Sequence, residues 1–211
     1  MGNDDILKDL SHIRSLMEKS TKFISISGLS GILAGVYTLL TVLFVGWKLQ
    51  FSWSTFSEVD SFEEVLASSS QNFVPVLVTA AVVLLTVSIA TGVIMANQKS
   101  VKQGQSAWNP TSKALLLAVS VPLLVGGALA FIALLQKNYA FIIPSLLIFY
   151  GLALFSGSHF TFKEIRVLGL LQISLGLLAL IYSSYGFVFF AVGFGLLHIL
   201  YGTIIIKKHG A

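Results

Sequence analysis

The sequence is dominated by long apolar stretches, and the one at residues 113–135 reads KALLLAVSVPLLVGGALAFIALL. No charged residue follows Lys113 until Lys137, and a helix needs roughly 17–25 predominantly apolar residues to cross a bilayer core. Five further stretches have the same character, at residues 23–46, 73–97, 139–156, 165–183 and 186–206. None of them has the alternating pattern of a membrane barrel strand. We therefore predict an all-α, polytopic membrane protein whose residues 23–211 form a bundle of six transmembrane helices.

The composition excludes several classes of protein and of site. Of the 211 residues, 55% are hydrophobic and only 10% are charged, against about 25% charged residues in soluble domains. The absence of cysteine excludes disulfides, thiolate metal sites and iron–sulfur clusters. The net charge of +4 does not indicate nucleic-acid binding, because the basic residues fall between apolar stretches. The expected partner is the lipid bilayer, with no nucleic acid and no cofactor.

The basic residues also predict the orientation, because cytoplasmic segments of membrane proteins are enriched in Lys and Arg. If the N-terminus is cytoplasmic, eleven of the 13 basic residues lie inside and only Lys48 and Lys137 lie outside. The eleven are Lys8, Arg14, Lys19, Lys22, Lys99, Lys102, Lys113, Lys163, Arg166, Lys207 and Lys208. We predict a multi-pass protein of the inner (plasma) membrane with both termini in the cytoplasm.

Residues 1–22 are predicted to form a separate cytoplasmic or interfacial unit. Ile6, Leu10, Ile13 and Met17 recur at helical spacing with charged residues between them. This pattern favours an amphipathic helix on the inner membrane surface. A short coiled coil for self-association or partner docking is the alternative.

Two short patterns predict where helices begin. Asn109 followed by Pro110 is typical of an N-cap and first turn, and starts the third helix. Thr161 with Glu164 fits a capping box, which would start the fifth.

Polar side chains recur at one depth of the predicted bundle. His198 lies inside the sixth stretch, roughly 12 Å from its cytoplasmic end at ~1.5 Å per residue, where ionisable residues are functional candidates by default. Gln172 lies at a similar depth in the fifth stretch, as do Ser30, Thr91 and Ser120 on other stretches. These five residues are a candidate intramembrane polar site that would be proton-sensitive or bind a substrate. The interpretation that we favour is ordinary interhelical hydrogen bonding, and the functional site is the alternative.

Glycines at helical spacing predict close helix packing, because small residues let backbones approach in lipid. The predicted packing residues are Gly28, Gly31, Gly35, Gly169, Gly176, Gly195 and Gly202. For the three glycines of the first span, the alternative is self-association through the Gly31-x-x-x-Gly35 face, which would give a homo-oligomer. A tight hairpin near Tyr185 would pair Gly176 with Gly195 and bring Gln172 within hydrogen-bonding reach of His198.

Signatures of soluble catalysis are absent from the sequence. It contains no P-loop, no nucleophile elbow and no H-E-x-x-H zinc motif. The four histidines, of which His12 and His209 are near the termini, are too few and too scattered for a histidine-rich metal enzyme. No catalytic and no metal-ligating residue is therefore assigned, and the sequence favours a protein without enzymatic activity.

The first and last spans carry the sequences FISISGLSGILAG at residues 23–35 and GLLHILYG at residues 195–202. They resemble the corresponding spans of a family of small bacterial six-span inner-membrane proteins, and the resemblance covers almost the whole chain. Because no activity is assigned to that family, the resemblance implies the fold and the membrane location but no functional residue.

The leading functional hypothesis is a membrane-embedded binding, scaffold or regulatory protein. The alternative is a small transporter or channel subunit that uses the polar site in the inner half of the bundle. A membrane enzyme acting on a lipid or isoprenoid ranks third, because no span carries paired acids or a metal cluster.

Overall fold

A computed structural model describes residues 28–48, 73–102 and 108–209. These residues are 93% helical and contain no strand, and six of their helices are long and apolar enough to span a membrane. The prediction of an all-α chain with six such helices is confirmed. The predicted unit at residues 1–22 lies outside the described residues.

Five of the six long helices are simple and the last is composite. The simple helices are α1 Gly28–Lys48, α2 Phe73–Lys102, α3 Pro110–Leu135, α4 Ile142–Gly157 and α5 Lys163–Ile181, with a 3₁₀ turn Tyr139–Phe141 directly before α4. The sixth span covers Ser183–Lys208. It consists of a 3₁₀ turn Ser183–Tyr185, a short helix α6 Gly186–Phe190, a π-helical segment Ala191–Leu196 and α7 Leu197–His209.

The two predicted helix starts have different outcomes. Asn109 is the N-cap of α3, where its side chain accepts a 2.8 Å hydrogen bond from the backbone N–H of Ser112. The predicted start at Thr161 is wrong, because the N-cap of α5 is Phe162 and carries no side-chain cap. The Thr161 hydroxyl instead donates to the Gly157 carbonyl at the end of α4, so it satisfies the helix before it.

The helices form two three-helix units that do not follow chain order. In the first unit α1 packs against α2 and against the sixth span, and in the second α4 packs against α3 and α5. The sixth span joins the two units through its contacts with α4 and α5. Although α2 and α3 are consecutive in the chain, they do not pack extensively against each other.

Glycines mediate the closest helix contacts within each unit. A Cβ atom on Gly35 would lie 2.6 Å from the Gly195 carbonyl oxygen, and one on Gly28 would lie 2.6 Å from that of Gly202. In the second unit, a Cβ on Gly151 would lie 2.6 Å from the carbonyl oxygen of Gly169. At these positions any side chain would force the two backbones apart.

The predicted pairing of α5 with the sixth span is wrong. Gly176 faces Ile148 and Leu147 of α4, and Gly195 faces Leu39 and Gly35 of α1. A short connection makes two helices antiparallel neighbours, but the van der Waals packing that drives association in lipid depends on which small-residue faces match. Here the small-residue face of α5 packs against α4, and that of the sixth span packs against α1.

The two ends of the bundle differ in charge. We name them the Lys208 end, where α1 begins and α7 ends, and the Tyr139 end, where α3 ends and α4 begins. Among the described residues the Tyr139 end has only Lys48 and Lys137. The Lys208 end has Lys99, Lys102, Lys113, Lys163, Arg166, Lys207 and Lys208.

Candidate functional site

His198 is held inside the bundle by a hydrogen bond at each ring nitrogen. Its side chain projects from α7 and the residue is only 6% exposed. Nδ1 lies 3.0 Å from the carbonyl oxygen of Gly193, and Nε2 lies 2.7 Å from the hydroxyl of Tyr150 on α4. His198 therefore links the π segment of its own span to the second three-helix unit.

The partners of His198 fix its tautomer. A carbonyl oxygen can only accept, so Nδ1 carries the proton that is shared with Gly193. In the neutral ring Nε2 is then an acceptor and receives the hydroxyl proton of Tyr150. A second proton on the ring would turn Nε2 into a donor and reverse this hydrogen bond. Both ring nitrogens are occupied by protein groups, so neither is free for an external ligand.

Gln172 meets His198 at the Gly193 carbonyl rather than directly. Its Nε2 donates a 2.8 Å hydrogen bond to that oxygen, which therefore accepts from two side chains. Gln172 is fully buried, and its Oε1 has no hydrogen-bond partner among the described residues. The expected direct hydrogen bond between Gln172 and His198 is wrong, because the amide donor is bonded to Gly193 instead.

The π segment explains why the Gly193 carbonyl can accept these bonds. The backbone N–H of Leu197 bonds the carbonyl of Val192, five residues earlier, instead of that of Gly193 as in an α-helix. A Cβ at Gly193 would lie 2.6 Å from Gln172 Oε1 and 2.6 Å from Leu147 Cδ2, so the absence of a side chain leaves room for these two buried residues. The π turn therefore leaves the Gly193 carbonyl available to accept from Gln172.

The other predicted polar residues do not join this cluster. The hydroxyl of Ser120 donates to the Leu117 carbonyl of its own helix. Ser30 lies on α1 and Thr91 on α2, and both are partly exposed. Because the ring of His198 is already bonded at both nitrogens, these three residues are not its partners.

Sequence reasoning missed Tyr150, which completes the His198 pair. Tyr150 lies in the middle of α4, within the apolar run FYGLALF at residues 149–155. Its hydroxyl is the one polar side-chain group of that run. Its ring lies 5.0 Å from that of Phe194 and 5.4 Å from that of His198, measured between centroids.

A second feature, which the sequence did not reveal, is an apolar cavity of about 400 Å³ at the Tyr139 end. Among the described residues, its walls come from α1, α2, α3, α4 and α6, and the lining side chains are apolar except those of Thr41 and Tyr139. The Thr41 hydroxyl is satisfied by the Tyr37 carbonyl of its own helix. The cavity therefore offers a surface suited to hydrocarbon, with almost no polar group to orient a ligand.

The cavity lies between the two three-helix units, where α2 and α3 do not close against each other. Val78 and Val82 of α2 and Phe131 of α3 line it and are exposed. Gly127 lines it as well, and a Cβ there would meet no atom within 4 Å. The cavity is therefore open along α2 and α3 rather than enclosed.

Aromatic rings connect this cavity to the polar cluster. Phe190 lines the cavity, and its ring centroid lies 4.9 Å from that of Phe194. The ring of Phe194 is in turn stacked at 6.0 Å on the imidazole of His198. Going from the Tyr139 end inward, the order is therefore cavity, Phe190, Phe194, and then Tyr150 with His198.

The remaining acidic and histidine side chains of the described residues lie apart from one another. No group of three or more His, Asp or Glu side chains that could hold a metal ion occurs among them. Glu164 forms a 3.0 Å ion pair with Lys208, and His159 contacts the Ser156 carbonyl at 3.1 Å. Neither contributes to the environment of His198 described above.

No protein-family model, no curated protein and no solved structure shows significant similarity to this chain. No functional residue is therefore transferred to it from another protein.

Proposed function

We propose that this chain is an integral membrane protein that binds the hydrocarbon chain of a lipid in the apolar cavity. The observation that supports this most directly is the cavity itself, about 400 Å³ in volume and lined almost entirely by apolar side chains. A pocket without convergent polar groups suits a ligand without polar groups of its own. Around membrane-spanning helices, the abundant ligand of this kind is a lipid tail.

The lateral opening gives the ligand a route of entry. Because Val78, Val82 and Phe131 belong both to the lining and to the exposed surface, a chain can pass from the bilayer between α2 and α3 without crossing water. The polar cluster is less suited to be a binding or transport site, because His198 is buried and bonded at both nitrogens.

The membrane orientation that we propose is the one with both termini in the cytoplasm of a bacterial cell. The asymmetry of basic residues between the two ends supports it. The cavity then lies in the outer half of the plasma membrane and the His198 cluster in the inner half. Reporter fusions after Lys102 and after Lys208 should report a cytoplasmic location, and fusions at residue 63 an external one. An external signal after Lys102 would contradict the orientation.

The binding proposal is tested by filling the cavity without disturbing the packing. Gly127→Leu places a side chain in the cavity, where no atom lies within 4 Å of the new Cβ. Gly92→Leu is the matched control, because Gly92 also has no atom within 4 Å but does not line the cavity. We expect wild type and Gly92→Leu to retain lipid through purification and to bind a fluorescent fatty acid, and Gly127→Leu to lose most of both.

Mass spectrometry of the organic extract and displacement of the fluorescent probe measure the two quantities. Wild type that carries no lipid and binds no probe would refute the proposal. Equal binding by Gly127→Leu and Gly92→Leu would also refute it, because the ligand would then lie elsewhere.

A further inference from the structure

The depth of the cavity along the helices matches one leaflet of a bilayer. On α2 the lining extends from Val74 to Leu84, a rise of about 15 Å at ~1.5 Å per residue. This is half of the ~30 Å hydrocarbon core. The polar group at the mouth, the Tyr139 side chain, lies at the end of the bundle, where tyrosines concentrate at the membrane interface. A lipid of the adjacent leaflet could therefore place its chain in the cavity while its headgroup stays at the surface.

The inner end of the cavity is closed by aromatic side chains. The innermost lining residue of the sixth span is Phe190, which rests on Phe194 at 4.9 Å between ring centroids. Phe194 lies against Tyr150, which is fixed by its hydrogen bond to His198. The ring of Phe190 thus forms the inner end of the cavity on the sixth span, which we call its floor, and it is backed by Phe194 packed on Tyr150 and His198.

On α3 the cavity is bordered by the contact with α4. A Cβ on Gly126 would overlap Phe149 of α4, whereas one on the next residue, Gly127, would meet no atom within 4 Å. Because successive residues of a helix point about 100° apart, Gly126 is directed at α4 and Gly127 at the cavity.

We propose that Phe190 sets the maximum length of the lipid chain that the cavity accepts, so that the protein selects outer-leaflet lipids by chain length rather than by headgroup. This inference rests on the proposed lipid-binding function. None of the described residues that line the cavity is charged, and among them only Thr41 and Tyr139 have polar side-chain atoms. What these walls distinguish is the length of the chain, through the distance from Tyr139 to Phe190.

Substitution of the floor tests this inference on the full-length protein. Phe190→Ala removes the ring and deepens the cavity toward Phe194 by at most the 4.9 Å between the two rings. A staggered chain of ~1.5 Å carbon–carbon bonds advances about 1.3 Å per methylene, so the longest accepted chain should grow by up to about four carbons. The probe is a series of saturated lysophosphatidylcholines of increasing chain length, which compete with a fluorescent fatty acid.

Phe187→Ala is the matched control, because Phe187 lines the same cavity one turn nearer the mouth. Its loss widens the cavity without moving the floor, so the length limit should stay at the wild-type value. Leu146→Phe adds a ring at the inner end of the cavity from α4 and should shorten the accepted chain. That variant keeps the test decisive if Phe190→Ala does not fold.

The outcomes separate this inference from the binding proposal. A length limit that increases in Phe190→Ala, decreases in Leu146→Phe and stays constant in Phe187→Ala supports the inference. If wild type binds the series but Phe190→Ala and Leu146→Phe leave the limit unchanged, Phe190 is not the floor and the inference is refuted. If wild type binds no member of the series and no fatty acid, the binding proposal itself fails.

Discussion

At the scale of single residues, Gly193 is where the sixth span, α5 and α4 meet. Its carbonyl accepts from Gln172 and His198, and its Cα faces Leu147. In Gly193→Ala the new Cβ would lie 2.6 Å from both Gln172 Oε1 and Leu147 Cδ2, and both of those residues are fully buried. We expect a loss of about 1–3 kcal/mol, the usual cost of overpacking a core.

Thermal unfolding in detergent measures this cost, with Gly92→Ala as the control. Gly92 has open space around it in the middle of α2, so alanine should leave stability unchanged or raise it by up to ~1 kcal/mol. Equal melting temperatures for Gly193→Ala and Gly92→Ala would show that Gln172 and Leu147 can move to accommodate the new methyl group.

Tyr150 and Tyr201 allow a matched test of the His198 hydrogen bond. The hydroxyl of Tyr150 is bonded to His198, whereas the buried hydroxyl of Tyr201 has no hydrogen-bond partner among the described residues. Tyr150→Phe leaves an acceptor nitrogen unpaired in the bundle, and interhelical bonds of this kind contribute ~0.6–2 kcal/mol. Tyr201→Phe removes an unpaired buried hydroxyl and should be neutral or stabilising.

Denaturation of the two variants side by side measures how much each substitution changes the stability of the protein. Destabilisation by Tyr150→Phe alone is the expected result. Destabilisation by Tyr201→Phe of the same size would mean that the loss reflects a general cost of replacing tyrosine rather than the bond to His198.

The polar residues could be predicted from the sequence only in part. His198 and Gln172 stand out because ionisable and amide side chains are rare inside apolar spans. Tyr150 does not stand out, since a tyrosine is largely apolar and is common near membrane spans. The role of Gly193 depends on a π turn, and nothing in its local sequence distinguishes it from the packing glycines nearby.

At the scale of helices, the glycine contacts are expected to contribute more to stability than the polar cluster does. A Cβ on Gly176 would lie 2.6 Å from Ile148 Cγ1, and one on Gly195 would lie 2.6 Å from Leu39 Cδ2. Gly176→Leu and Gly195→Leu should therefore force α5 from α4, and the sixth span from α1. His198→Ala removes hydrogen bonds worth only ~0.6–2 kcal/mol each and leaves the backbones in place.

The fraction of each variant that remains folded in detergent, followed by size-exclusion chromatography and thermal melting, ranks them. Both leucine variants should melt below His198→Ala. The reverse order would indicate that the polar cluster, and not close helix packing, holds the two units in shape.

The existence of the helices could be predicted from the sequence, but their partners could not. Length and apolarity are sufficient to identify six spans, and the Asn109 cap marks the start of α3 from local residues alone. The match between Gly35 and Gly195 or between Gly151 and Gly169 joins residues far apart in the chain. Small-residue patterns occur on several helices, so spacing alone does not say which two faces combine.

At the scale of the whole molecule, the cavity is a consequence of how the two units assemble. Each unit is closed internally by glycine contacts, α1 with the sixth span and α4 with α5. The outer helices of the units, α2 and α3, are left facing each other without close packing, and the space between them is the cavity. A bundle assembled in chain order would have brought α2 and α3 together and closed this space.

The same assembly predicts that α1 and α2 are held in the protein by the sixth span and not by the helix that follows them in the chain. A protease site inserted at residues 103–107 allows the purified full-length protein to be cut between α2 and α3. The two pieces should remain associated in detergent, because α1 stays packed on the sixth span through Gly28 with Gly202 and Gly35 with Gly195.

Two variants of α1 test which contact holds the pieces together. Gly35→Leu should make the pieces separate after cleavage. Gly46→Leu should not, because a Cβ on Gly46 of the same helix would meet no atom within 4 Å. Affinity purification through a tag on one piece measures the retention of the other. Retention in Gly35→Leu equal to that in Gly46→Leu would mean that α1 is held by other contacts, and the division into two units would then be incorrect.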